Sequence, residues 1–483
     1  MGKALKDKTI YGMFWNTLER FGSSLFLFVT NLILSRMLSP SDFGCIGMLL
    51  VFVSLSEAIV DGGFGSALIH KKNPSQKDYS TIFYWNIFLA FLLYLVLYFS
   101  SSSIADFYHV ELLTDVLKVQ GLVLIVNAFS LIQKNILVKQ ISFKRVAKIN
   151  LFGVFVGSIV GIVFAYLGFG VWSLVIKSLS TAVLQCITYW VINKWRPYWV
   201  FSWASFVELF QYGSFLFLTV IFNALYHNIL SLVIGRSFSS SALGYFTQAK
   251  KMEDIPRSSI SSVVTSVSFP VFSEMKDDKN RLRNAIESCL KSVMFINLPI
   301  MLMLIVVAKP LILLLFTEKW EQSIPCFQVL CVYGIFYTPN ELNRGVTKAM
   351  GKSKITLLIL MLQRTLGLSL VFSGLYWGMK GLLAGYVFSE ILCYIISAAV
   401  TGKLIQYGVW QQLRSFIPIF CISLLAASLS YLLMYLPFHM GYSLLIFLHV
   451  IIFCISYISF ALIFRVQGIE PYIYMLKTKF SNR

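Results

Sequence analysis

The stretch NLILSRMLSPSDFGC, residues Asn31–Cys45, has a second copy in SLVIGRSFSSSALGY, residues Ser231–Tyr245. The two copies align without a gap, so that Gly44 corresponds to Gly244. Six apolar segments separate the copies, and both copies therefore cross the membrane in the same direction. Repeats of this parallel kind are related by an axis along the membrane normal. The sequence predicts two parallel-repeat six-helix lobes around a central cavity, plus two C-terminal helices.

The apolar segments around this repeat are long enough to cross a membrane, because a spanning helix needs about 20 predominantly apolar residues. They lie at 12–37, 43–69, 79–103, 114–135, 147–167, 170–193, 208–235, 242–272, 285–308, 322–343, 355–376, 380–402, 415–436 and 442–464. The predicted fold class is an all-α integral membrane protein with about 14 transmembrane helices. The predicted domains are an N-lobe at 1–200, a C-lobe at 201–405, and two extra transmembrane helices with a cytoplasmic tail at 406–483.

The basic residues alternate from one connection to the next, and this alternation orients the segments. Most of the 40 Lys and Arg residues lie at the N-terminus and in every second connection after it, up to Lys477, Lys479 and Arg483. The intervening connections hold only Arg36, Lys118, Arg236, Lys309, Lys319 and Lys380. Basic flanks stay on the cytoplasmic side during insertion. Both termini are therefore predicted to be cytoplasmic in a multi-pass membrane protein.

The composition excludes several classes of protein. Of the 483 residues 58% are apolar and 13% are charged, which is too apolar for one soluble core. The formal net charge of +19 lies in short loops between apolar spans, so topology and anionic headgroups explain it better than nucleic acid does. The connections predicted to be external, near 101–114 and 309–322, are too short for a catalytic domain. The chain is predicted not to be an enzyme.

The remaining short-range signals indicate no metal site, no disulfide and no cofactor. The eight cysteines lie mostly inside apolar segments and form no CxxC pair, so they are interpreted as small packing residues. The N-terminus lacks a small-residue cleavage site after its apolar stretch, which indicates an uncleaved first span. No zinc-protease motif, nucleotide-binding glycine loop or hydrolase triad occurs at credible spacing.

Cationic side chains inside the spans are candidates for binding an anionic cargo, because ionisable groups in hydrocarbon are costly and mark functional sites. The candidates are Lys177, Arg364, Lys250, Lys251, Arg257 and Arg20. Lys177 and Arg364 have no carboxylate within helical reach in sequence, and a phosphate is a natural partner for each. The alternative is structural charge pairing, which the i,i+4 spacing of Glu253 and Arg257 favours for the eighth segment.

Carboxylates inside the spans are candidates for binding a coupling ion. Glu57 and Asp61 lie one helical turn apart in the second segment, and Glu390 lies in the twelfth. A carboxylate in a partly dry cavity can hold a proton or a sodium ion. The alternative for Glu57 and Asp61 is a structural pair with Arg20 or Lys250. The only cofactor-like requirement is therefore coupling to Na⁺ or H⁺.

Several motifs together resemble one known family. They are LSRMLSPSDFG (Leu34–Gly44), DGGFGSALI (Asp61–Ile69), LGYFTQAKKMEDIP (Leu243–Pro256), FTEKW (Phe316–Trp320) and KAMGKSK (Lys348–Lys354). In order and spacing they are similar to the bacterial polysaccharide-export flippases of the multidrug/oligosaccharidyl-lipid/polysaccharide exporter superfamily. The branch that handles O-antigen, colanic acid and capsule repeat units is the most similar one.

This resemblance implies a location in the bacterial inner membrane and a function. The cargo would be an undecaprenyl-diphosphate-linked oligosaccharide that moves from the cytoplasmic to the periplasmic leaflet, by alternating access and with cation coupling. The pathway would serve lipopolysaccharide, exopolysaccharide or capsule, with membrane lipids, a polysaccharide polymerase and a chain-length regulator as partners. A glycan cannot cross hydrocarbon, whereas a polyprenyl tail can stay in it, so a wet cavity that attracts phosphate is sufficient.

Two other functions stay open at this point. A multidrug or small-molecule cation antiporter of the same superfamily would share the fold, but a carboxylate-dominated cavity would suit cationic drugs better than the cations found here. A membrane polysaccharide polymerase or glycosyltransferase would need a long external loop with catalytic motifs. No such loop is present in the sequence.

Overall fold

The computed structural model describes residues 2–432 and 441–466. Within these ranges the chain is helical and contains no β-strand. The predicted cytoplasmic tail with Lys477, Lys479 and Arg483 lies outside the described residues, as does the end of the predicted span 415–436. The prediction of an all-helical membrane protein is confirmed for the described ranges.

The helices follow one another with short connections. The first nine are α1 (Gly2–Met37), α2 (Pro40–Asp61), α3 (Phe64–His70), α4 (Gln76–Tyr108), α5 (Leu113–Gln120), α6 (Leu122–Lys139), α7 (Phe143–Tyr166), α8 (Val171–Ile192) and α9 (Trp203–Ser237). The rest are α10 (Ser240–Glu274), α11 (Lys279–Val306), α12 (Ala308–Phe316), α13 (Ser323–Ala349), α14 (Ser353–Gly374), α15 (Gly378–Ile405), α16 (Val409–Tyr431) and α17 (Tyr442–Ile463). Short 3₁₀ turns at Glu318–Trp320 and Leu375–Trp377 complete the connections.

Nine helical stretches of the described ranges are long and apolar enough to cross a membrane. They are Pro40–His70, Gln76–Tyr108, Leu113–Lys139, Phe143–Tyr166, Val171–Ile192, Lys279–Val306, Lys354–Ile405, Val409–Tyr431 and Tyr442–Ile463. The stretch Lys354–Ile405 contains two helices, α14 and α15. The protein is therefore a multi-pass membrane protein, and the count of about 14 spans stays a prediction.

Three sequence-predicted boundaries differ from the structure. The predicted span 43–69 is broken into α2 and α3, because Gly62 and Gly63 adopt φ of 54° and 72°, a left-handed conformation that glycine tolerates. The predicted external connection 101–114 is mostly helical, since α4 continues to Tyr108. The predicted connection 309–322 contains helix α12, whose apolar residues were too few to read as a span.

The chain forms two compact units, Met1–Thr247 and Gln248–Arg483, and the division falls inside α10. In the first unit α7 packs against α1 and α8, and α9 packs against α2, α3 and α4. In the second unit α13 and α14 pack against α15, and α11 packs against α13 and α16. The predicted lobe boundaries are drawn elsewhere, at 200/201 and 405/406, and they stay predictions.

Both copies of the internal repeat begin a helix in the same way. At the start of α2 the Ser39 Oγ accepts a hydrogen bond of 3.3 Å from the Asp42 amide, and the Asp42 carboxylate accepts one from the Ser39 amide. At the start of α10 the Ser239 Oγ accepts a bond of 3.1 Å from the Ala242 amide. A serine at this position satisfies an amide that the helix itself leaves free. The repeat therefore encodes two equivalent helix starts.

A stripe of glycines joins α7 to α8. Gly153, Gly157 and Gly161 recur every four residues, and the ideal Cβ position of each is crowded by α8. The crowding side chains also recur every four residues in the opposite direction, and they are Gln185, Thr181 and Lys177. Small residues at this spacing allow membrane helices to approach closely. The stripe fixes the register in which α8 presents its polar side chains.

Candidate functional site

Lys177 lies on α8 with its aliphatic stem against the glycine stripe. Its Cβ, Cγ and Cδ are 2.7, 3.0 and 3.3 Å from the ideal Cβ position of Gly161, so a larger residue there would displace the stem. The residue is half-buried. Among the described residues its ammonium group makes no hydrogen bond and no ion pair. Burying a charge without a partner is costly, so this ammonium is available to an anion or to water.

Helix α5 contacts α8 through a polar side chain next to Lys177. Gln120 donates a hydrogen bond of 3.1 Å to the hydroxyl of Ser178, the next residue on α8. The Oε1 atom of Gln120 and the hydroxyl of Ser173 are buried without a partner in the described residues. Unpaired buried polar atoms are rare in proteins and indicate a place where water or a ligand binds. This part of α8 is therefore polar on two turns.

Arg20 and Glu19, adjacent on α1, do not pair with each other. Glu19 Oε1 accepts a hydrogen bond of 2.6 Å from Asn150 of α7, and Asn150 Oδ1 in turn accepts one of 3.1 Å from the Tyr189 hydroxyl of α8. Arg20 is exposed and makes no ion pair among the described residues. Glu19 therefore has a structural role in joining α1, α7 and α8, whereas the charge of Arg20 is uncompensated within its unit.

The carboxylates Glu57 and Asp61 accept hydrogen bonds from uncharged groups of the first unit. Glu57 Oε1 accepts a hydrogen bond of 2.9 Å from the amide of Asn127 on α6. Asp61 ends α2, and its carboxylate accepts a hydrogen bond from the Gly63 backbone amide in the break before α3. No described contact joins either carboxylate to Arg20, the partner that the sequence suggested within this unit. Lys134 interacts electrostatically with the Asp61 carboxylate, so Asp61 has a cation of the protein nearby, whereas the described interactions of Glu57 are with a neutral amide.

Polar side chains crowd against Gly65 next to Asp61. The ideal Cβ position of Gly65 lies 3.1 Å from Asp61 Oδ1 and 2.9 Å from Asn135 Nδ2, so a side chain at residue 65 would collide with both groups. Asn135 is 9% exposed, and its Nδ2 atom has no partner in the described residues. The break between α2 and α3 therefore carries a carboxylate next to a free buried donor.

At the end of the same helix pair, Lys71 ties three helices together outside the spans. Its ammonium lies 2.9 Å from Glu208 of α9 and 3.1 Å from Asp78 of α4. Burial alone would lower the pKa of Lys71, but the hydrogen bonds and charges of Glu208 and Asp78 outweigh it, so the pKa of Lys71 is raised above its ordinary value. This basic residue is structural and does not belong to the cargo site.

In the second unit the predicted pair of Glu253 and Arg257 on α10 is present. The Arg257 Nε lies 3.0 Å from Glu253 Oε1, and Arg257 also pairs with Asp254. The guanidinium is 4.2 Å from the centre of the Tyr337 ring and 5.8 Å from that of Tyr333. Carboxylates and aromatic faces thus surround Arg257, which favours the structural alternative over direct contact with cargo.

Glu390 is the centre of a buried amide network. Its Oε1 accepts a hydrogen bond of 2.7 Å from Asn340 Nδ2. Asn340 Oδ1 accepts bonds of 2.7 Å from the Ser397 hydroxyl and 3.3 Å from Gln363 Nε2. The network joins α13, α14 and α15. A carboxylate inside a span that accepts its hydrogen bond from a neutral amide can bind a cation or a proton.

The structure brings Glu390 and the predicted cation Arg364 into electrostatic contact, together with Arg257 and Arg344. Arg364 on α14 therefore has a carboxylate nearby, although none lies within helical reach in sequence.

Lys250 interacts electrostatically with Glu253 and Arg257, and Lys251 is exposed on α10. The cations of the second unit thus lie in a charge-compensated cluster, in contrast to Lys177 and Arg20 of the first unit. The described residues contain no group of His, Cys, Asp and Glu that could hold a metal ion.

The sequence reasoning missed the uncharged polar residues of these sites. Three predicted carboxylates have an asparagine beside them: Asn127 beside Glu57, Asn135 beside Asp61 and Asn340 beside Glu390. Gln363 in turn donates to Asn340. The signal was present, because an amide inside an apolar helix must face protein or water. These amides carry no formal charge, so the rule that ionisable residues inside spans mark functional sites does not identify them.

A scan of known families gives an independent view. The model of a family described as "Polysaccharide biosynthesis protein" matches residues 33–325, which is more than half of the chain. The chain belongs to this polysaccharide biosynthesis protein family. Its membership confirms the resemblance to polysaccharide-export flippases that the motifs indicated.

Curated relatives of this polysaccharide biosynthesis protein are similar over most of their length. The teichuronic acid biosynthesis protein TuaB of Bacillus subtilis (strain 168) is 26% identical over 360 residues, 73% of each chain. The lipopolysaccharide biosynthesis protein WzxC of Escherichia coli (strain K12) is 24% identical over 412 residues, 85% of this chain and 84% of the relative.

Solved structures show the fold. The lipid II flippase MurJ in an inward closed conformation superposes with a TM-score of 0.75 over 93% of this chain and 98% of that chain, at 16% identity. An inward-facing MATE family multidrug transporter gives a TM-score of 0.62 over 80% and 94%, also at 16% identity. Family and fold together confirm the prediction of a membrane transporter that is not an enzyme.

Proposed function

We propose that this protein is a flippase that carries a lipid-linked oligosaccharide, with the lipid joined through a diphosphate, from the cytoplasmic to the external leaflet. The observation that carries the proposal is the ammonium group of Lys177, which is half-buried on α8 and has no partner among the described residues. A diphosphate carries at least two negative charges and forms strong charge-assisted hydrogen bonds with ammonium groups. The relatives that function in polysaccharide biosynthesis support the same cargo class.

Within this proposal the two units contribute differently. The uncompensated cations Lys177 and Arg20 of the first unit attract the phosphate groups, whereas Arg364 and Arg257 of the second unit are partly neutralised by carboxylates. Binding and release both need moderate affinity, and an anion competes poorly for a cation that already has a carboxylate partner. The contact with cargo is therefore assigned first to Lys177. Partnership with a polymerase and a chain-length regulator stays a prediction of the family resemblance.

Transport against a gradient needs a coupling ion, for which Na⁺ or H⁺ at Asp61, Glu57 or Glu390 is proposed. Asp61 is the strongest of these candidates, because it lies at a helix break and adjoins the unpartnered amide of Asn135. Breaks in membrane helices free backbone groups and recur at ion and substrate sites of transporters. Glu390 is the second candidate, since its carboxylate accepts a hydrogen bond from the neutral Asn340 amide, although Arg344, Arg364 and Arg257 also interact with it electrostatically.

The proposal is tested with Lys177→Met, which keeps an apolar stem on Gly161 and removes the charge. Loss of one charge-assisted contact costs about 1.5–3 kcal/mol, so cargo binding should weaken roughly tenfold to a hundredfold. We expect folded protein in the membrane, measured by blot, that restores little surface polysaccharide to a strain lacking its flippase. Lys177→Arg keeps the charge and should restore most of it.

The matched control is Lys118→Ala, which removes a lysine of the same unit that already pairs with Asp115 at 3.6 Å. This variant should complement the strain fully. Full complementation by Lys177→Met would show that Lys177 does not contact the cargo. The fold of the MATE relative also suits a drug antiporter; resistance to cationic dyes that depends on Lys177 would favour that function instead.

A further inference from the structure

The two copies of the internal repeat touch each other in the first unit, and the contact is reciprocal. The ideal Cβ position of Gly44 lies 1.7 Å from the backbone oxygen of Ser240. The ideal Cβ position of Gly244 lies 1.9 Å from the backbone oxygen of Pro40. Residue 44 corresponds to 244, and 40 to 240, in the repeat alignment. The contact is therefore self-complementary, as across a two-fold axis.

Only glycine allows this contact at both positions. The obstructing atoms are backbone atoms at the starts of α2 and α10, which cannot rotate away as a flexible side chain can. Any side chain at residue 44 or 244 would push the two helix starts apart by about 1 Å or more, given the close approach that small residues permit. The glycines thus set how closely the two copies approach each other.

The layer below this contact is also built from small residues, and it contains an unsatisfied polar atom. The ideal Cβ of Gly47 lies 3.1 Å from Thr247 Oγ1 and 3.2 Å from Leu243 Cδ2. The Thr247 hydroxyl is buried without a partner in the described residues. A buried hydroxyl without a partner loses hydration and regains it when the helices separate, which offsets part of the packing lost. The two copies thus pack closely, and hydration of the Thr247 hydroxyl lowers the free-energy cost of separating them.

We propose that Gly44 and Gly244 form the closure of the transport path at the end of the helices that the charge pattern places outside, and that this contact opens in each transport cycle. The inference rests on the proposed flippase function and on the predicted orientation. It gives the repeat a role beyond duplication, because each copy supplies the glycine on which the backbone of the other copy closes. Gly44 and Gly244 act by positioning helices and do not contact the cargo.

The first test is Gly44→Ala, with Gly244→Ala beside it. Each should reduce surface polysaccharide at least tenfold in the complementation assay, while the amount of protein in the membrane stays near that of the wild type. The double variant should restore as much surface polysaccharide as the single variant that restores less, because both changes break one shared contact. Gly345→Ala is the matched control, since Gly345 lies within helix α13 and its ideal Cβ has no atom within 4 Å.

The second test measures opening directly, in protein that keeps both Gly44 and Gly244. Cys45 follows Gly44 and is 5% exposed, so it reports on the contact when the other seven cysteines are replaced by serine. A membrane-impermeant maleimide applied to spheroplasts should label Cys45 several-fold faster when the cells synthesise the lipid-linked cargo. The same labelling should be fast without cargo in Gly44→Ala and slow in Gly345→Ala.

The outcomes separate this inference from the proposed function. Equal labelling with and without cargo, or full complementation by Gly44→Ala, would show that the contact is a static joint and would overturn the inference. If Lys177→Met still fails to complement in that case, the flippase function stands without a glycine closure. If the wild-type protein complements none of the flippase-deficient strains, the proposed function itself is refuted. Cargo-dependent labelling together with loss of function in both glycine variants supports the closure.

Discussion

The ion pair on α10 gives a sharp test of whether Arg257 is structural or binds cargo. The Glu253 side chain is 2% exposed and that of Arg257 is 13% exposed, so removal of Arg257 leaves a buried carboxylate without its main partner. Breaking a buried pair in this way typically costs about 3–5 kcal/mol. The lost ring contacts with Tyr337 and Tyr333 add roughly 0.5–2 kcal/mol.

The expected result for Arg257→Ala is therefore a large loss of stability. The midpoint of thermal unfolding shifts by about 2–4 °C per kcal/mol for a domain of about 150–250 residues. The midpoint in detergent should therefore fall by roughly 6 °C or more. The double variant Glu253→Gln/Arg257→Met removes both charges and should recover most of the loss, since replacing a buried pair by neutral groups is often nearly neutral.

Two comparisons decide the interpretation. Lys118→Ala breaks a more exposed pair with Asp115 and should change the midpoint by at most about 2–4 °C, because exposed pairs contribute about 0–1 kcal/mol. If Arg257→Ala unfolds like the wild type but loses transport, the guanidinium serves the cargo and the structural assignment is wrong. A double variant less stable than Arg257→Ala would also refute the reasoning.

Two further predictions concern coupling and orientation. Asp61→Asn should abolish gradient-driven transport while folded protein stays in the membrane. Glu57→Gln should have a smaller effect, because Glu57 is exposed. Unchanged transport by Asp61→Asn in vesicles would show that Asp61 does not bind the coupling ion. For orientation, Glu111→Cys should react with an impermeant maleimide in spheroplasts and Lys276→Cys should react only after lysis. The reverse pattern would invert the topology.

The repeat and the local helix patterns could be predicted from sequence because they depend on neighbours along the chain. The helix starts at Ser39 and Ser239, the pair of Glu253 with Arg257 and most apolar spans follow from residues within one or two turns. The break at Gly62 and Gly63 was hidden, since an apolar run of this length satisfies a spanning helix whether or not it is continuous.

The contacts that decide the role of each charge could not be predicted in the same way. Glu390 meets Asn340 across 50 residues of sequence, and Glu57 meets Asn127 across 70. No spacing rule relates residues on different helices, because the packing of helices selects which faces meet. The charged residues of the spans are visible in the sequence, but their compensation in the second unit and its absence at Lys177 depend on tertiary structure.

The division between the two compact units falls within a continuous helix, and this has a practical consequence for dissecting the protein. Helix α10 runs from Ser240 to Glu274, yet its residues up to Thr247 belong to the first unit. A chain cut at this division would expose helix ends inside hydrocarbon, where free amides and carbonyls have no water to bind. Cuts at the turn after Glu274 would leave α10 whole. Separately expressed halves should therefore reassemble only when the cut leaves α10 whole in one of the two fragments.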